Sequence, residues 1–544
     1  MKPGLGEVLI PGGIVVYFIC QSFSLFAAIA TIVGALGICI YYLHNEKQHW
    51  KRQGIPGPPG NFLFGNTLSM AKGLHQMDLD WQKDYGRVFG TYLLGAPDLV
   101  INDVQLVKEV MVKQFSNFTD RMQLFYIDPE NDFNLLDNAL TAKSGDDWRN
   151  TRNLVTPAFT TGKMKNMVPT FNKASKIFCE ILGNHADKKV VVDTKVLASR
   201  LTLDVISQTS FGFDADLQKN HDDPLMKAAQ SIFVLSRFEP VFLIFMFFPH
   251  LAIAYQNYVK RPLFRGAAHD FFKLILTELL ERRKRDKESQ ETVDFFQLLL
   301  NAMEEEKNEK KQEEDKDIMH EELKKVKNKR GLRPIEVLSQ AFVFLLAGYE
   351  TTATILNFTL YMLANFPEFQ DKLRQEVDSL VDPKKEDLTY NDIAKMHYVD
   401  QVINETMRLY PPTARTNRVC VETTYLRDIR VDKGCTVSIP IYLIHHDEEI
   451  YPNPMEFDPD RFSPEEKAKR DPLAFLPFGA GPRNCIGMRF AQMELRMIIA
   501  QVVRRFKLSL PELAPKHPLV LDTQMLTKPV DKLLILVERI EKDL

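Results

Sequence analysis

One cysteine, Cys485, stands in the loop sequence FLPFGAGPRNCIG, residues 475–487, which is rich in glycine and proline. A cysteine in such a loop can be a packing residue, half of a disulfide, a nucleophile, a zinc ligand or an iron ligand. A structural zinc site needs four Cys or His ligands, usually in closely spaced pairs. No His lies between His446 and His517, and no other Cys follows Cys435, so the sequence lacks a local zinc pattern.

Two further kinds of site fit this loop poorly. A cysteine nucleophile needs a His base, which can be distant in the sequence, but it has no evident use for Arg483 and Phe478. A phosphate-binding loop would carry Lys followed by Ser or Thr after its glycines, and this loop does not. The residue types around the cysteine therefore favour iron.

Iron in a haem uses more of the loop. Gly481 and Gly487 allow the backbone to turn tightly without side chains that collide with a flat macrocycle. Phe478 can pack over the thiolate and shield it from water, and Arg483 can meet a haem propionate. The backbone N–H groups after Cys485 begin the following helix and can hydrogen-bond the sulfur, whose thiol loses its proton on binding iron.

The loop closely resembles the haem-binding signature FxxGxRxCxG of the cytochrome P450 monooxygenases. The resemblance implies a Cys-ligated haem b with Cys485 as the iron ligand. It also implies a mainly α fold with a small β region. The signature residues, all expected to bind the cofactor, are Phe478, Gly481, Arg483, Cys485 and Gly487.

A second group of chemically useful residues is AGYETT, residues 347–352, within an almost entirely apolar segment that predicts a buried helix. An acid beside an alcohol is costly there unless it is hydrogen-bonded or functional. Thr351 can bond back to the Ala347 carbonyl, and small residues one turn earlier leave room for a diatomic ligand. The stretch resembles the oxygen-activation motif of the family, which implies that Thr351 contacts dioxygen and Glu350 relays protons between site and solvent. The alternative is a Ser/Thr cluster that only bends the helix.

Glu405 and Arg408, in NETMRLYPP, are three residues apart and therefore share one helix face. Alone, such a pair is commonplace on a protein surface. It resembles the ExxR pair of the family, and PMEFDPDRF, residues 454–462, resembles the segment whose arginine, Arg461 here, joins the pair. The resemblance implies a buried network that fixes geometry near the haem loop rather than adding stability.

Further arginines resemble the family's partners of the haem propionates. Trp148 and Arg152, in GDDWRNTRN, match a WxxxR helix whose indole N–H and guanidinium reach those carboxylates. Arginine suits this role because its planar fork binds carboxylates with two hydrogen bonds. Arg418, in ARTNRVC, and Arg121, in NFTDR, are the other predicted cofactor-binding residues.

Composition bounds the class of protein. The chain has 544 residues, a formal charge of -3, 45% hydrophobic and 26% charged residues, which is typical of a globular protein with a large core. The near-neutral charge argues against nucleic acid as a partner. Six cysteines without paired spacing indicate a reducing compartment rather than a disulfide framework. No linker interrupts the body of the chain, so we predict one catalytic domain.

The N-terminus predicts a membrane anchor. Residues 23–43 contain no charged residue and are almost all apolar, and this is about the length needed to cross a hydrocarbon core of roughly 30 Å. A basic cluster and the proline-rich IPGPPG follow, whereas a signal peptide has a shorter apolar core and a mitochondrial presequence is rich in Arg. A buried core helix would not normally precede such a hinge. We predict an anchor over 1–44, a hinge over 45–60 and the catalytic domain over 61–544, facing the cytosol from the endoplasmic reticulum membrane.

Few segments read as strands. Residues 87–103 predict two strands around a Gly-Ala-Pro-Asp turn, residues 435–442 a short strand, and the C-terminus a hairpin. Residues 231–256 are either a buried helix pair around Pro240 or an apolar lid at the membrane surface. The run 303–331 alternates in charge and reads as a solvated helix or loop, with a docking role as the alternative.

Together these features predict a monooxygenase that uses NADPH to insert one atom of O₂ into a lipophilic substrate, in the branch that resembles drug- and steroid-oxidising enzymes. The expected electron donor is a flavin reductase on the cysteine side, with cytochrome b5 as a possible second one, through Arg149, Arg489 and Arg496. Two rivals are a haem-thiolate isomerase of lipid peroxides and a non-catalytic haem- or lipid-binding membrane protein. The predicted substrate contacts, each with a plain core position as its alternative, are Phe125, Phe133, Phe342, Thr413, Ala414, Met525 and Leu526.

Overall fold

The computed structural model describes residues 47–540 except 62–63, 94, 124–126, 129, 214–215, 221, 234–239, 286–293 and 304–330, together with positions 30, 33, 34, 37, 38, 41 and 45. Most of the described body is helical, and residues 295–303 are helical as well. The other α-helices are His49–Arg52, Leu74–Tyr85, Val104–Lys108, Gly145–Val155, Thr161–Lys188, Thr194–Phe211, Pro224–Phe233, Pro240–Phe247, Pro249–Val259, Gly266–Arg285, Pro334–Asn365, Pro367–Leu380, Tyr390–Ala394, His397–Leu409, Ile441–His445, Pro464–Ala468 and Met488–Val503.

The described strands form small sheets. They are β1 (Val88–Leu93), β2 (Ala96–Ile101), β3 (Val192–Asp193), β4 (Thr416–Val419), β5 (Thr424–Leu426), β6 (Ile429–Val431), β7 (Thr436–Ile439), β8 (Phe506–Ser509), β9 (Leu521–Asp522), β10 (Lys528–Pro529) and β11 (Leu534–Arg539). One sheet has the order β1-β2-β7-β4, in which β2 and β7 are parallel, and another has the order β3-β11-β8. The pairs β5-β6 and β9-β10 stand apart.

The strand predictions are confirmed in position, with one local difference. β1 and β2 pair antiparallel from Val88↔Ile101 to Leu93↔Ala96, so of the Gly-Ala-Pro-Asp stretch only Gly95 lies in the turn, and the other three residues already belong to β2. β7 lies within the predicted strand 435–442, and β9 with β10 forms the C-terminal hairpin. The mainly α fold with a small β region is therefore confirmed.

The longest described helix, Pro334–Asn365, passes through the core and is called the central helix below. Its first turn begins with proline, and the Glu336 carboxylate accepts a hydrogen bond of 2.8 Å from the Arg333 N–H, which caps it. Among the described residues this helix alone is long and apolar enough to cross a bilayer, yet 67% of its most apolar window is buried in protein. Its apolar character therefore reflects a core position.

Several predictions concern segments that the description covers only in part. The predicted anchor lies outside the described residues apart from isolated helical positions, and the charged run 303–331 lies outside them almost entirely. Within residues 231–256, the helices Pro240–Phe247 and Pro249–Val259 form a pair. Leu251 and Tyr255 on the second helix are exposed, which contradicts a fully buried pair.

Candidate active site

Local hydrogen bonds shape the cysteine loop, residues 475–487. The Cys485 N–H donates to the Phe478 carbonyl at 2.8 Å, and the Asn484 N–H donates to the Gly481 carbonyl at 3.0 Å. Gly481 has a φ of +69°, and a Cβ there would lie 1.9 Å from the Met111 carbonyl oxygen. The loop requires glycine at this position for its tight turn, as the sequence predicted, and also because Met111 approaches closely, which the sequence did not predict.

Gly487 differs from Gly481. Its φ of -85° is open to any residue, and an added Cβ would meet no atom within 4 Å. Open space therefore lies beside the residue that caps the helix Met488–Val503, where the sequence predicted room for a flat ring.

The Cys485 side chain is exposed, whereas the other described cysteines, Cys179, Cys420 and Cys435, are buried. The surrounding chain still excludes much bulk water, and this burial raises the pKa of the Cys485 thiol, against the Gly487 N–H and nearby guanidinium groups, which lower it. The described residues contain no group of three or more His, Cys, Asp or Glu side chains that could hold a metal ion. Cys485 can therefore be the protein ligand of an iron whose other ligands come from a macrocycle.

Four arginines surround this loop and are called the arginine cluster: Arg121, Arg152, Arg418 and Arg483. Arg152 binds the carbonyl and the side-chain oxygen of Asn484, both at 2.9 Å. Arg121 donates to the Arg483 carbonyl at 3.1 Å. Two of the four guanidinium groups therefore fix the backbone directly before Cys485.

The arginine cluster carries more positive charge than nearby acids neutralise. The Nε atoms of Arg121, Arg418 and Arg483 are buried and have no hydrogen-bond partner. Burial, together with the neighbouring guanidinium groups, lowers the pKa of Arg418 and of Arg483 to about 9. Asp120 lies 3.9 Å from Arg483, beyond hydrogen-bond distance. An anion with several carboxylate oxygens would complete the cluster, and the two propionates of a haem have that chemistry.

Trp148 supports the cluster through its ring. The Arg483 guanidinium lies over the indole, 4.4 Å from the ring centroid, and Phe115 packs against the same indole at 5.6 Å. A guanidinium over an indole face is a favourable cation–π arrangement. The sequence predicted a polar role for the indole N–H, and the structure adds this contact as a means of orienting Arg483.

Lys143, which the sequence did not indicate, connects the cysteine loop to the central helix. Its carbonyl accepts a hydrogen bond of 2.7 Å from Arg483, and its ammonium group forms an ion pair with Glu336. Both side chains of the ion pair are buried. Lys143 precedes a polar segment in the sequence, so no local pattern predicts its burial.

The central helix presents an accessible position in the core. Ala347 is exposed although most of its neighbours are buried, and the Thr351 hydroxyl donates to the Ala347 carbonyl at 2.6 Å, as the sequence suggested. Gly348 does not contribute open space, because a Cβ there would lie 3.0 Å from Ile206. Its small size instead allows the helix Thr194–Phe211 to approach.

Glu350 has a partner that the sequence did not predict. Lys195 Nζ lies 2.8 Å from Glu350 Oε1 and donates to the Thr354 hydroxyl at 3.0 Å. The signal was a single lysine within the apolar pattern VVVDTKVLASRL, which is unusual in a helix that packs against the core.

Glu405, Arg408 and Arg461 form a buried assembly, called the ion-pair network below. Arg408 Nε and Nη2 each lie 2.7 Å from a different oxygen of Glu405, and both side chains are 0% exposed. Arg461 Nε lies 3.6 Å from Glu405 Oε1. Arg408 also donates to the carbonyls of His445, Pro454 and Glu456.

The residues predicted to contact a redox partner have different surroundings. Arg149 is exposed and lies 3.0 Å from Asp146, and Arg489 is exposed at the start of the helix that follows Cys485. Arg496 donates two hydrogen bonds to Asp400 and is only 24% exposed. We therefore retain Arg149 and Arg489 as candidate contacts and withdraw Arg496.

The predicted substrate contacts also divide. Phe342 is fully buried against Phe272 with 5.2 Å between ring centroids, so it is a core residue and that prediction is wrong. Phe125 lies outside the described residues. Thr413 and Leu526 are partly accessible, Met525 is exposed, and Phe133 and Ala414 are buried.

Comparison with known proteins agrees with this site. The sequence profile of the family described as Cytochrome P450 matches residues 55–536. Cytochrome P450 3A41 of Mus musculus is 35% identical, over 93% of this chain and 96% of its own length. Cytochrome P450 3A5 of Homo sapiens is 34% identical, over 93% and 95%. The chain belongs to the cytochrome P450 family, whose members are monooxygenases that use a Cys-ligated haem b.

Proposed function

We propose that this protein is a membrane-bound monooxygenase that uses electrons from NADPH, passed on by a flavin reductase, to oxidise a lipophilic small molecule. One atom of O₂ enters the substrate as a hydroxyl group, and the other is reduced to water by two electrons and two protons. The substrate class is xenobiotic, steroid or fatty acid. Cytochrome b5 is a possible second electron donor.

A bound haem would supply the activation of dioxygen, which a cysteine thiolate ligand would favour. Cys485 would hold the iron, and the arginine cluster would hold the propionates. Trp148 orients Arg483, while Phe478 shields the sulfur. Glu350 and Thr351 handle protons on the accessible side of the central helix.

The observation that carries this proposal is the arrangement of Thr351 and Glu350. The Thr351 hydroxyl bonds to the Ala347 carbonyl beside an accessible position in the core, and the Glu350 carboxylate bonds to Lys195, whose side chain is 31% exposed. Because Thr351 and Glu350 are adjacent on the central helix, the two contacts lie between an accessible interior position and a partly exposed lysine. An isomerase of lipid peroxides needs no protons from solvent, and a non-catalytic binding protein needs no acid at this position.

Membrane attachment is supported by exposed apolar side chains. Val33, Ile38 and Tyr41 occupy helical positions and are 62%, 72% and 71% exposed, which is unfavourable in water. Leu251 and Tyr258 are exposed on the helix Pro249–Val259. We propose that the first group belongs to the anchor, and that the second contacts the surface of the endoplasmic reticulum membrane, on whose cytosolic side the catalytic domain lies.

The proposal is tested with the double variant Glu350→Ala/Thr351→Ala in a system reconstituted with reductase and NADPH, using a substrate found by its spin-state change. Product formation is expected to fall by about 10²–10⁴-fold, the usual contribution of positioned proton transfer. The red-shifted band of the ferrous carbonyl complex should not change, because the iron ligand is intact. Wild-type turnover in the double variant would contradict the relay. Turnover of lipid peroxides without NADPH consumption would identify an isomerase.

A further inference from the structure

Lys195 lies at the junction between the active-site acid and the protein surface. Its ammonium group bridges Glu350 Oε1 at 2.8 Å and the Thr354 hydroxyl at 3.0 Å, so it binds the central helix at two successive turns. Its side chain is 31% exposed, whereas that of Glu350 is 14% exposed. Lys195 is therefore the outer member of the pair and the member that water reaches more easily.

The position of Lys195 in its own helix is unfavourable for a cation. The helix Thr194–Phe211 begins one residue earlier, with Asp193 as its N-cap. A helix N-terminus carries partial positive charge, so a lysine in the first turn is repelled and does not stabilise the helix. The residue gains its interactions from the central helix instead, which indicates that its purpose lies there.

We propose that Lys195 supplies protons to Glu350 during turnover, an inference that rests on the proposed role of Glu350 and Thr351. The lysine ammonium gives one proton to the Glu350 carboxylate, which leaves a neutral amine and a carboxylic acid. The acid passes that proton inward by way of the Thr351 hydroxyl. Bulk water then reprotonates the amine, so each transfer consumes one solvent proton and returns both side chains to their starting state.

The charges that face Lys195 suit this transfer. Burial lowers the pKa of the lysine, and Lys528 on β10 lowers it further, while Glu350 on the central helix and Asp193 on its own helix raise it. A lysine that gives up its proton more easily than usual is a better acid toward a neighbouring carboxylate. An arginine could form the same ion pair but keeps its proton, because its pKa exceeds 12.

Two substitutions separate proton supply from ion pairing. Lys195→Met and Lys195→Arg are both expected to lower product formed per NADPH consumed by about tenfold, with a matching rise in hydrogen peroxide. This is less than direct loss of a proton donor causes, because water replaces part of the transfer. Lys507→Met, which replaces an exposed lysine on β8 that does not contribute to the pKa of Lys195, is the control and should match the wild type. Full activity in Lys195→Arg would overturn the proposal, since an ion pair alone would then suffice.

A second measurement does not depend on turnover. Competitive acetylation of Lys195 across pH, read by mass spectrometry, should give a pKa below 10.5 in the wild type and a lower one in Glu350→Gln, because the substitution removes the charge that raises it. An unchanged pKa in that variant would exclude the coupling. If Glu350→Ala/Thr351→Ala lowers turnover but Lys195→Met does not, only this inference fails. If neither does, the proposed relay itself fails.

Discussion

The protein contains two buried groups of charged side chains that are built in opposite ways. In the ion-pair network, Arg408 uses all five of its N–H donors, two on Glu405 and three on backbone carbonyls. In the arginine cluster, three guanidinium groups each leave Nε without a partner, and Arg418 and Arg483 repel each other. Arg461 Nε in the ion-pair network also has no hydrogen-bond partner, but the Glu405–Arg408 pair at its centre is complete within the chain, and the arginine cluster is not.

This difference separates a structural assembly from a binding site. A buried charge is tolerable when it is paired and hydrogen-bonded, and it is costly otherwise. The ion-pair network joins the helix His397–Leu409 to residues 454–461, and its central Arg408 has no N–H donor left for a ligand. The arginine cluster holds several positive charges close together, which is unfavourable, and the two carboxylates of a haem would neutralise them. Haem binding should therefore stabilise the region around the cluster.

Breaking the ion-pair network should have the largest effect on stability. In Arg408→Leu, the Glu405 carboxylate keeps its buried position but loses its counter-charge. We expect the free energy of unfolding to fall by about 3–5 kcal/mol, the usual cost of removing one partner of a buried pair. Urea unfolding of the apoprotein measures this change, and the ferrous carbonyl spectrum shows whether haem is still bound.

Arg496→Leu is the matched control for that substitution. Arg496 also binds a carboxylate through two hydrogen bonds, but Asp400 is 31% exposed and water can solvate it after the change. Its loss should cost about 1 kcal/mol or less. If the two substitutions lowered the free energy of unfolding equally, the burial and complete hydrogen bonding of the Glu405–Arg408 pair would not determine the loss.

Removing a member of the arginine cluster should stabilise the apoprotein but weaken haem binding. Arg418→Leu removes a buried cation that repels Arg121 and Arg483, so apoprotein stability should rise by about 1–3 kcal/mol. The same change removes a charged donor to a propionate, so haem affinity should fall by about 10–100-fold. Urea unfolding gives the first value, and haem transfer to an excess of a scavenger protein gives the second.

Arg504→Leu is the control for the opposite effects expected of Arg418→Leu on apoprotein stability and haem affinity. Arg504 is buried and donates to the carbonyls of Lys385 and Asp382, so its loss should destabilise the apoprotein and leave haem affinity unchanged. If Arg418→Leu also destabilised the apoprotein, the arginine cluster would not be under electrostatic strain.

Local spacing in the sequence predicted much of this arrangement. The Glu405–Arg408 pair and the Thr351–Ala347 bond lie within one helical turn, so the 3.6-residue period is enough to infer them. β1 and β2 are adjacent in the chain and are joined by a short turn. The cysteine loop carries a family signature, and the membership of the chain in that family is confirmed. The roles of the individual site residues and the N-terminal anchor stay predictions.

The features that the sequence did not predict are contacts between distant segments. Lys195 and Glu350 are 155 residues apart, and Lys143 and Glu336 are 193 residues apart. Both pairs depend on how helices and loops pack, which no local periodicity encodes. The wrong prediction for Phe342 has the same origin: an apolar residue on the central helix can face either the core or the cofactor side. Only packing against Phe272 distinguishes them.

The smallest stability effect is expected from an exposed pair on the helix Gly145–Val155. Arg149 and Asp146 form an i,i+3 pair with side chains 51% and 92% exposed, so Arg149→Ala should change the free energy of unfolding by about 0.5 kcal/mol or less. If Arg149 contacts an acidic reductase, the apparent KM for reductase should rise several-fold and the difference should shrink at high salt. Lys284→Ala, in the exposed i,i+3 pair with Glu281, is the control and should change neither quantity. A salt-independent loss of activity in Arg149→Ala would indicate a defect in the haem loop instead, because screening acts on an exposed contact far more than on a buried one.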